Sequence, residues 1–86
     1  MQTLVTLRAQ IDQIDSDIIE KLALRQQLSR EIGEIKLEQG MEIIDPPREK
    51  ELYALYEKLS CEYKLEPGFV KMLFKLIIDY CRKVQK

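Results

Sequence analysis

The sequence predicts an all-α fold of three helices, at about residues 3–38, 46–64 and 67–85. Apolar residues recur at steps of three and four, as on one face of a helix, and no segment alternates with the period of a strand. Apart from Gly33, glycine and proline occur in only two regions of the chain. One contains Gly40 and Pro46-Pro47, and the other is Pro67-Gly68. We therefore expect one long helix followed by two shorter ones.

The first helix is predicted from an apolar stripe that keeps one face along the first 38 residues, with no proline. The stripe consists of Leu4, Leu7, Ile11, Ile14, Ile18, Leu28, Ile32 and Ile35. Such a helix is about 54 Å long, whereas a compact domain of this size has a radius of gyration of only about 12 Å. Since two shorter helices cannot cover it, the stripe predicts a homodimer in which the long helices of two copies pack together.

Cap and turn residues bound the two shorter helices. Asp45 is the expected N-cap of the second helix, with Pro46 at the first helical position. The turn at Leu65-Glu66-Pro67-Gly68 separates the second helix from the third. The inward positions are predicted to be Leu52, Leu55, Tyr56, Leu59, Val70, Leu73, Phe74, Ile77, Ile78 and Cys81.

Composition limits the possible functions of this chain. Its 86 residues suit a single domain spanning residues 1–86, and 14 basic against 15 acidic residues give a net charge of −1. This balance argues against a role on nucleic acid or a membrane surface that depends on bulk charge. The chain has no histidine, which excludes Ser-His and Cys-His nucleophile pairs and removes the commonest metal ligand. We therefore expect no metal site.

The two cysteines, Cys61 and Cys81, have no CxxC spacing. No signal peptide or transmembrane run accompanies them, so we interpret both as free thiols of a cytoplasmic protein.

Polar residues continue the apolar faces of all three helices. Arg25 stands where a leucine is expected, and it shares its face with Ser29 and Lys36, about 16 Å further along the axis. Arg48 and Glu49 lie one turn before Leu52, and Gln85 follows Cys81 by four residues. Taken singly, each is also explained as a surface charge or a frayed end. Together they predict a pocket for a small, doubly anionic molecule that carries a hydroxyl. Gly33 is interpreted as allowing close helix packing.

These residues lie in motifs that span essentially the whole chain. The motifs are Leu7-Arg8-x-x-Ile11-Asp12-x-x-Asp15, Leu24-Arg25, Lys36, Asp45-x-x-Arg48-Glu49 and Leu73-Phe74-x-Leu76-Ile77-Ile78-x-x-Cys81-x-x-x-Gln85. In this order and spacing the chain resembles the small all-helical chorismate mutases of the shikimate pathway. The resemblance implies an intertwined homodimer with two equivalent sites. Its implied activity is the Claisen rearrangement of chorismate to prephenate in phenylalanine and tyrosine biosynthesis, without a cofactor or metal.

The resemblance also implies a role for each polar residue. Lys36 and Gln85 donate to the ether oxygen, where negative charge grows as the C–O bond breaks. Arg25 binds one substrate carboxylate, and Arg8 of the partner subunit binds the other. Because Arg8 lies about 25 Å from Arg25 on the same helix, both cannot hold one small molecule within one chain.

The remaining implied contacts involve the second and third helices. Glu49 accepts from the ring hydroxyl near the backbone of Asp45, and Arg48 lines the anion site. Cys81 stands where relatives often have a serine that contacts a carboxylate. Its thiol is a weaker donor than a hydroxyl.

Three alternatives remain open at this point. An isochorismate-pyruvate lyase would use a similar cationic pocket, although Glu49 and Lys36 favour the mutase. A mutase of 4-amino-4-deoxychorismate differs by one hydroxyl-to-amine change in its substrate. A non-catalytic helical dimerisation module would explain the stripe but not its charged residues. The sequence also leaves open whether the chain is free-standing or part of a fusion.

Overall fold

The computed structural model describes residues 2–85, in which all regular secondary structure is α-helical and no strand occurs. Helix α1 spans Leu4–Gln39, α2 spans Pro46–Glu62 and α3 spans Pro67–Gln85. Helix α3 packs against both α1 and α2. These findings confirm the predicted all-α fold of three helices. No helix in the described part of the chain is long and apolar enough to span a membrane.

Helix α1 is an unbroken helix of 36 residues with a defined cap at each end. The Thr3 hydroxyl accepts a hydrogen bond from the Thr6 N–H at 3.2 Å. At the other end Gly40 adopts a left-handed conformation with φ of 65°, and the Met41 N–H donates to the Lys36 carbonyl at 2.8 Å. Glycine suits this conformation because it has no Cβ to clash with the backbone. Helix α1 therefore ends at Gln39, and Lys36 lies in its last turn.

Helix α2 begins at the predicted cap and ends two residues earlier than the sequence suggested. The Asp45 carboxylate accepts from the Arg48 N–H at 3.2 Å, and prolines occupy the first two helical positions. At the other end Lys64 has a φ of 57°, and the Leu65 N–H donates to the Ser60 carbonyl at 2.9 Å. This left-handed turn closes the helix with a lysine where glycine is the usual residue.

Replacing Lys64 with glycine is expected to stabilise the fold by about 0.5–1 kcal/mol, because glycine tolerates the left-handed region that costs a side-chain-bearing residue about 1–2 kcal/mol. Urea unfolding at one fixed protein concentration measures the change. Lys58→Gly, in the interior of α2, is the control and should cost about 1 kcal/mol. A Lys64→Gly midpoint equal to or below that of the unchanged chain would refute the prediction.

The small core lies between α2 and α3. Tyr56, Val70 and Ile78 are buried, and Leu52, Tyr53 and Phe74 pack against them. The rings of Tyr56 and Phe74 are stacked with their centroids 4.1 Å apart. Of these six residues, only Tyr53 was not predicted to face inward.

The N-terminal half of α1 extends away from this core. Every described residue up to residue 24 is exposed, including the stripe residues Leu7, Ile11 and Ile14 at 44%, 56% and 56%. The chain measures 57 × 24 × 15 Å with a radius of gyration of 16.3 Å, well above the value of about 12 Å expected for a compact chain of this length. On α3, Phe69, Leu73 and Leu76 are exposed too. A single chain therefore leaves a continuous apolar stripe uncovered.

Candidate active site

A cleft of about 440 Å³ lies between the C-terminal half of α1, the connector, α2 and α3. Its apolar wall includes Leu52, Tyr56, Phe74 and Ile78. Its polar lining consists of Arg25, Ser29, Lys36, Asp45, Arg48, Glu49, Cys81, Arg82 and Gln85. The structure thus brings together seven of the eight predicted site residues, and only Arg8 lies elsewhere.

The cleft is positively charged although the chain as a whole is not. Its lining contains four cationic side chains and two carboxylates, which gives a local net charge of +2, against −1 for the whole chain. Apolar walls around such a charge reduce its screening by water. The arrangement suits a small molecule with two negative charges.

Lys36 and Gln85 form a pair of donors at one end of the cleft. The Lys36 ammonium donates to the Ile43 carbonyl at 2.7 Å and to the Gln85 side-chain carbonyl at 3.4 Å. Because the Gln85 oxygen is turned toward the lysine, the two N–H donors of its amide remain for a ligand. The lysine likewise keeps one N–H beyond its two contacts.

Gly33 allows this pair to form. A Cβ atom at position 33 would lie 2.9 Å from the Gln85 Cα and 3.0 Å from the Gln85 carbonyl oxygen. The residue is buried where α1 meets the last turn of α3. The interpretation of Gly33 as a packing residue is therefore confirmed, and the close approach of the two backbones sets the position of Gln85.

Gly33→Ala is expected to lower kcat by about tenfold to a hundredfold, because the backbone of α3 must shift and a misplacement of about 1 Å is enough for such a loss. The better helix propensity of alanine, about 1 kcal/mol, offsets part of an overpacking cost of about 1–3 kcal/mol. Steady-state kinetics and thermal unfolding separate the two effects. Glu34→Ala, at an exposed neighbouring position, is the matched control. Unchanged kcat in Gly33→Ala would show that Gln85 does not need this packing.

Arg25 is fixed by a contact with the third helix. Its guanidinium Nη1 donates to the Cys81 Sγ at 3.0 Å, and Cys81 is only 7% exposed. The thiol therefore acts as an acceptor that orients the arginine, which the sequence alone did not predict. Both Cys61 and Cys81 are free thiols, as expected.

The start of α2 contributes a carboxylate that is already paired. Glu49 forms an ion pair with Arg82 of α3, and the two side chains are 26% and 29% exposed. Arg48 instead pairs with Glu51 at 3.1 Å and is 60% exposed. Asp45 uses its carboxylate as the helix cap, so its position depends on the α2 backbone. Within the cleft, Glu49 is thus held by its ion pair with Arg82. The more exposed Arg48 lies at the open side of the cleft.

Sequence analysis did not identify Arg82 as a site residue. The signal was present, because Arg82 follows Ile78 by four residues and precedes Gln85 by three, which places all three on one helical face. The residue also pairs with Asp79 at 3.5 Å. Such a pair within one helix is also common among surface charges, so the sequence pattern alone does not distinguish Arg82 from them.

Arg8 lies on the exposed half of α1 and takes no part in the cleft of its own chain. It is separated from Arg25 by about 25 Å of uninterrupted helix. Arg8 therefore does not reach the cleft of its own chain.

Fold and site together define an all-α protein whose cleft has a local positive charge that suits a small anion. Residues 7–86 match the family described as chorismate mutase type II, so the chain belongs to this family. It is accordingly an isomerase, and the alternatives of an isochorismate-pyruvate lyase, a 4-amino-4-deoxychorismate mutase and a non-catalytic dimerisation module are not favoured.

Relatives of this chain include a protein named only as a chorismate mutase and proteins named as bifunctional enzymes. It is 33% identical over 86 residues to a chorismate mutase from Methanocaldococcus jannaschii, covering 100% of this chain and 87% of that protein. A bifunctional chorismate mutase/prephenate dehydratase from Aquifex aeolicus is 39% identical over 89 residues, covering 100% of this chain and 25% of that protein. The protein of the same name from Escherichia coli is 32% identical over 76 residues, with 88% and 20% covered. The chain thus spans only a fifth to a quarter of these two bifunctional relatives.

Proposed function

We propose that this chain, as one domain of residues 1–86, converts chorismate to prephenate in the cleft. The observation that carries the proposal is a local charge of +2 with two donors side by side at Lys36 and Gln85. Chorismate carries two carboxylates. In its rearrangement the ether C–O bond breaks as a C–C bond forms, and no proton is transferred. A site for this reaction must hold a folded conformer and stabilise charge on the ether oxygen.

We assign the ether oxygen to Lys36 and Gln85. Both side chains are partly buried and in contact with each other, so they form a fixed pair of donors that need not reorganise during the reaction. Donors arranged in this way stabilise developing negative charge more strongly than water does.

We assign the substrate carboxylates to the arginines. Arg25, oriented by the Cys81 thiol, would bind one carboxylate in a forked geometry that lysine cannot provide. Arg48, at the open side, would extend the anion site. In this proposal Cys81 acts through Arg25, and its weak donor strength matters little.

We assign the ring hydroxyl of chorismate to Glu49. A carboxylate accepts from a hydroxyl without transferring a proton. Its neighbour Asp45 fixes the first turn of α2 through the capping bond to Arg48, and so holds Glu49 toward the cleft.

We further propose that two chains form an intertwined homodimer. The exposed stripe on α1 would pack against its copy, and burying the exposed part of each Leu or Ile side chain contributes on the order of 1 kcal/mol. In the proposed dimer the two α1 helices pack antiparallel, so that Arg8 of one chain meets Arg25 of the partner subunit. The two-fold axis then passes between Ser16 and Asp17, midway between the two arginine positions. The same pairing would cover the stripe and complete both sites. We also propose a cytoplasmic location. Both cysteines are free thiols, and thiols stay reduced in the cytosol.

Ile14→Asp is expected to dissociate the dimer, because it places a charge on the apolar stripe close to the proposed two-fold axis. Light scattering after gel filtration should report the mass of one chain, against two for the unchanged protein. Ala9→Asp is the control, because Ala9 lies on the opposite face of α1. A dimer of unchanged mass in Ile14→Asp would contradict the proposed interface.

The direct test of the activity is incubation of the purified chain with chorismate. Loss of the ultraviolet absorbance of the substrate should follow enzyme concentration and far exceed the spontaneous rate, and the product should be prephenate. A folded dimer that leaves chorismate unchanged would refute the proposed function. Release of pyruvate instead of prephenate would indicate a lyase.

A further inference from the structure

Arg82 lies beside the carboxylate that we assign to the ring hydroxyl. It pairs with Glu49 across the gap between α2 and α3, and with Asp79 at 3.5 Å on its own helix. Arg82 and Glu49 both line the cleft. Among the described residues, no other cationic side chain forms an ion pair with Glu49. Arg82 thus balances the charge of Glu49 at the edge of the site.

This pairing changes what Glu49 can bind. A carboxylate balanced by a guanidinium keeps lone pairs that accept from a neutral hydroxyl. A cationic ring substituent in the same place would meet a Glu49 carboxylate that is already paired with Arg82. It would also lie next to the positive charge of the Arg82 guanidinium. Like charges brought together in a partly buried site oppose binding.

We propose that Arg82 is a specificity-determining residue that makes the site select a hydroxyl over an ammonium group on the substrate ring. The proposal rests on the proposed function, in particular on Glu49 as the partner of the ring substituent. The discriminated compound is 4-amino-4-deoxychorismate, which carries an ammonium group where chorismate has the hydroxyl. Selection operates through charge, since the two substituents differ little in size.

The test compares kcat/KM for the two substrates in the unchanged chain and in Arg82→Met, a neutral side chain of similar length. We expect the unchanged chain to prefer chorismate and the ratio of the two constants to move toward the amino compound by about tenfold in Arg82→Met. Arg82→Lys retains the charge and should keep most of the preference. Lys83→Met removes the same charge at the next position, which is exposed and outside the cleft lining, and should leave the ratio unchanged.

The possible outcomes separate the inference from the proposed function. Turnover of chorismate with the same substrate ratio in Arg82→Met and the unchanged chain would overturn the inference alone. An equal loss for both substrates would also overturn it, because it indicates a purely structural role. If Arg82→Met does not fold, Arg82→Gln provides the same comparison with a polar neutral side chain. No turnover of either substrate by the unchanged chain would overturn the proposed function together with the inference.

Discussion

Lys36→Ala is expected to lower kcat by about 10²–10³, the usual loss when one fixed donor to a developing charge is removed. The lysine is a strong candidate for this effect because its ammonium is held by the Ile43 carbonyl at 2.7 Å and by the Gln85 amide oxygen at 3.4 Å. Its position is therefore set before substrate arrives. Gln85→Ala should lose activity for the same reason, since the amide supplies the second donor.

Two measurements separate a loss of catalysis from a loss of folding in these variants. Lys50→Ala removes an exposed lysine of α2 that does not line the cleft, and it should keep kcat close to that of the unchanged chain. Thermal unfolding should show that Lys36→Ala and Gln85→Ala remain folded at the assay temperature. A rate near that of the unchanged chain in either variant would contradict its assigned role.

Arg8→Ala and Arg25→Ala should each lower kcat/KM by about 10²–10³, because each removes one partner of a charged, hydrogen-bonded contact with a substrate carboxylate. The two residues are remote within one chain, and only Arg25 lines the cleft. A similar loss in both is therefore expected only if Arg8 acts in the site of the partner subunit.

The control for this pair is Arg30→Ala, an exposed arginine of the same helix that does not line the cleft. It should leave kcat/KM nearly unchanged. Normal activity in Arg8→Ala would remove Arg8 from the site, whereas normal activity in Arg25→Ala would remove the anion contact that the cleft is proposed to provide.

Sequence alone predicted the helices well because local chemistry fixes their ends. Asp45 and Gly40 are strong end signals, and both act as caps in the structure. The end of α2 was placed two residues late because the left-handed turn is at Lys64. Glycine or asparagine usually marks a left-handed helix end, and lysine does not. Residue propensities therefore could not predict where α2 ends.

The site was predictable where helical periodicity determines which way a side chain faces. Counting along α1 placed Arg25 and Lys36 on one face, and both line the cleft. The contact between Arg25 and Cys81 and the pairing of Arg82 with Glu49 depend on how the helices pack, which no local count can supply. The position of Arg8 relative to a substrate depends on a second chain and thus remains a prediction.

The central claim is that two chains build each site, and mixing Arg8→Ala with Arg25→Ala subunits tests it most directly. In a hybrid dimer one site has both arginines and the other has neither. Random exchange makes about half of the dimers hybrid, so about a quarter of all sites should be intact. We predict that the mixture recovers up to about a quarter of the activity of the unchanged chain, while each variant alone stays nearly inactive. Mass spectrometry verifies that subunits have exchanged. If the exchanged mixture then recovers no activity, the result would contradict a shared site.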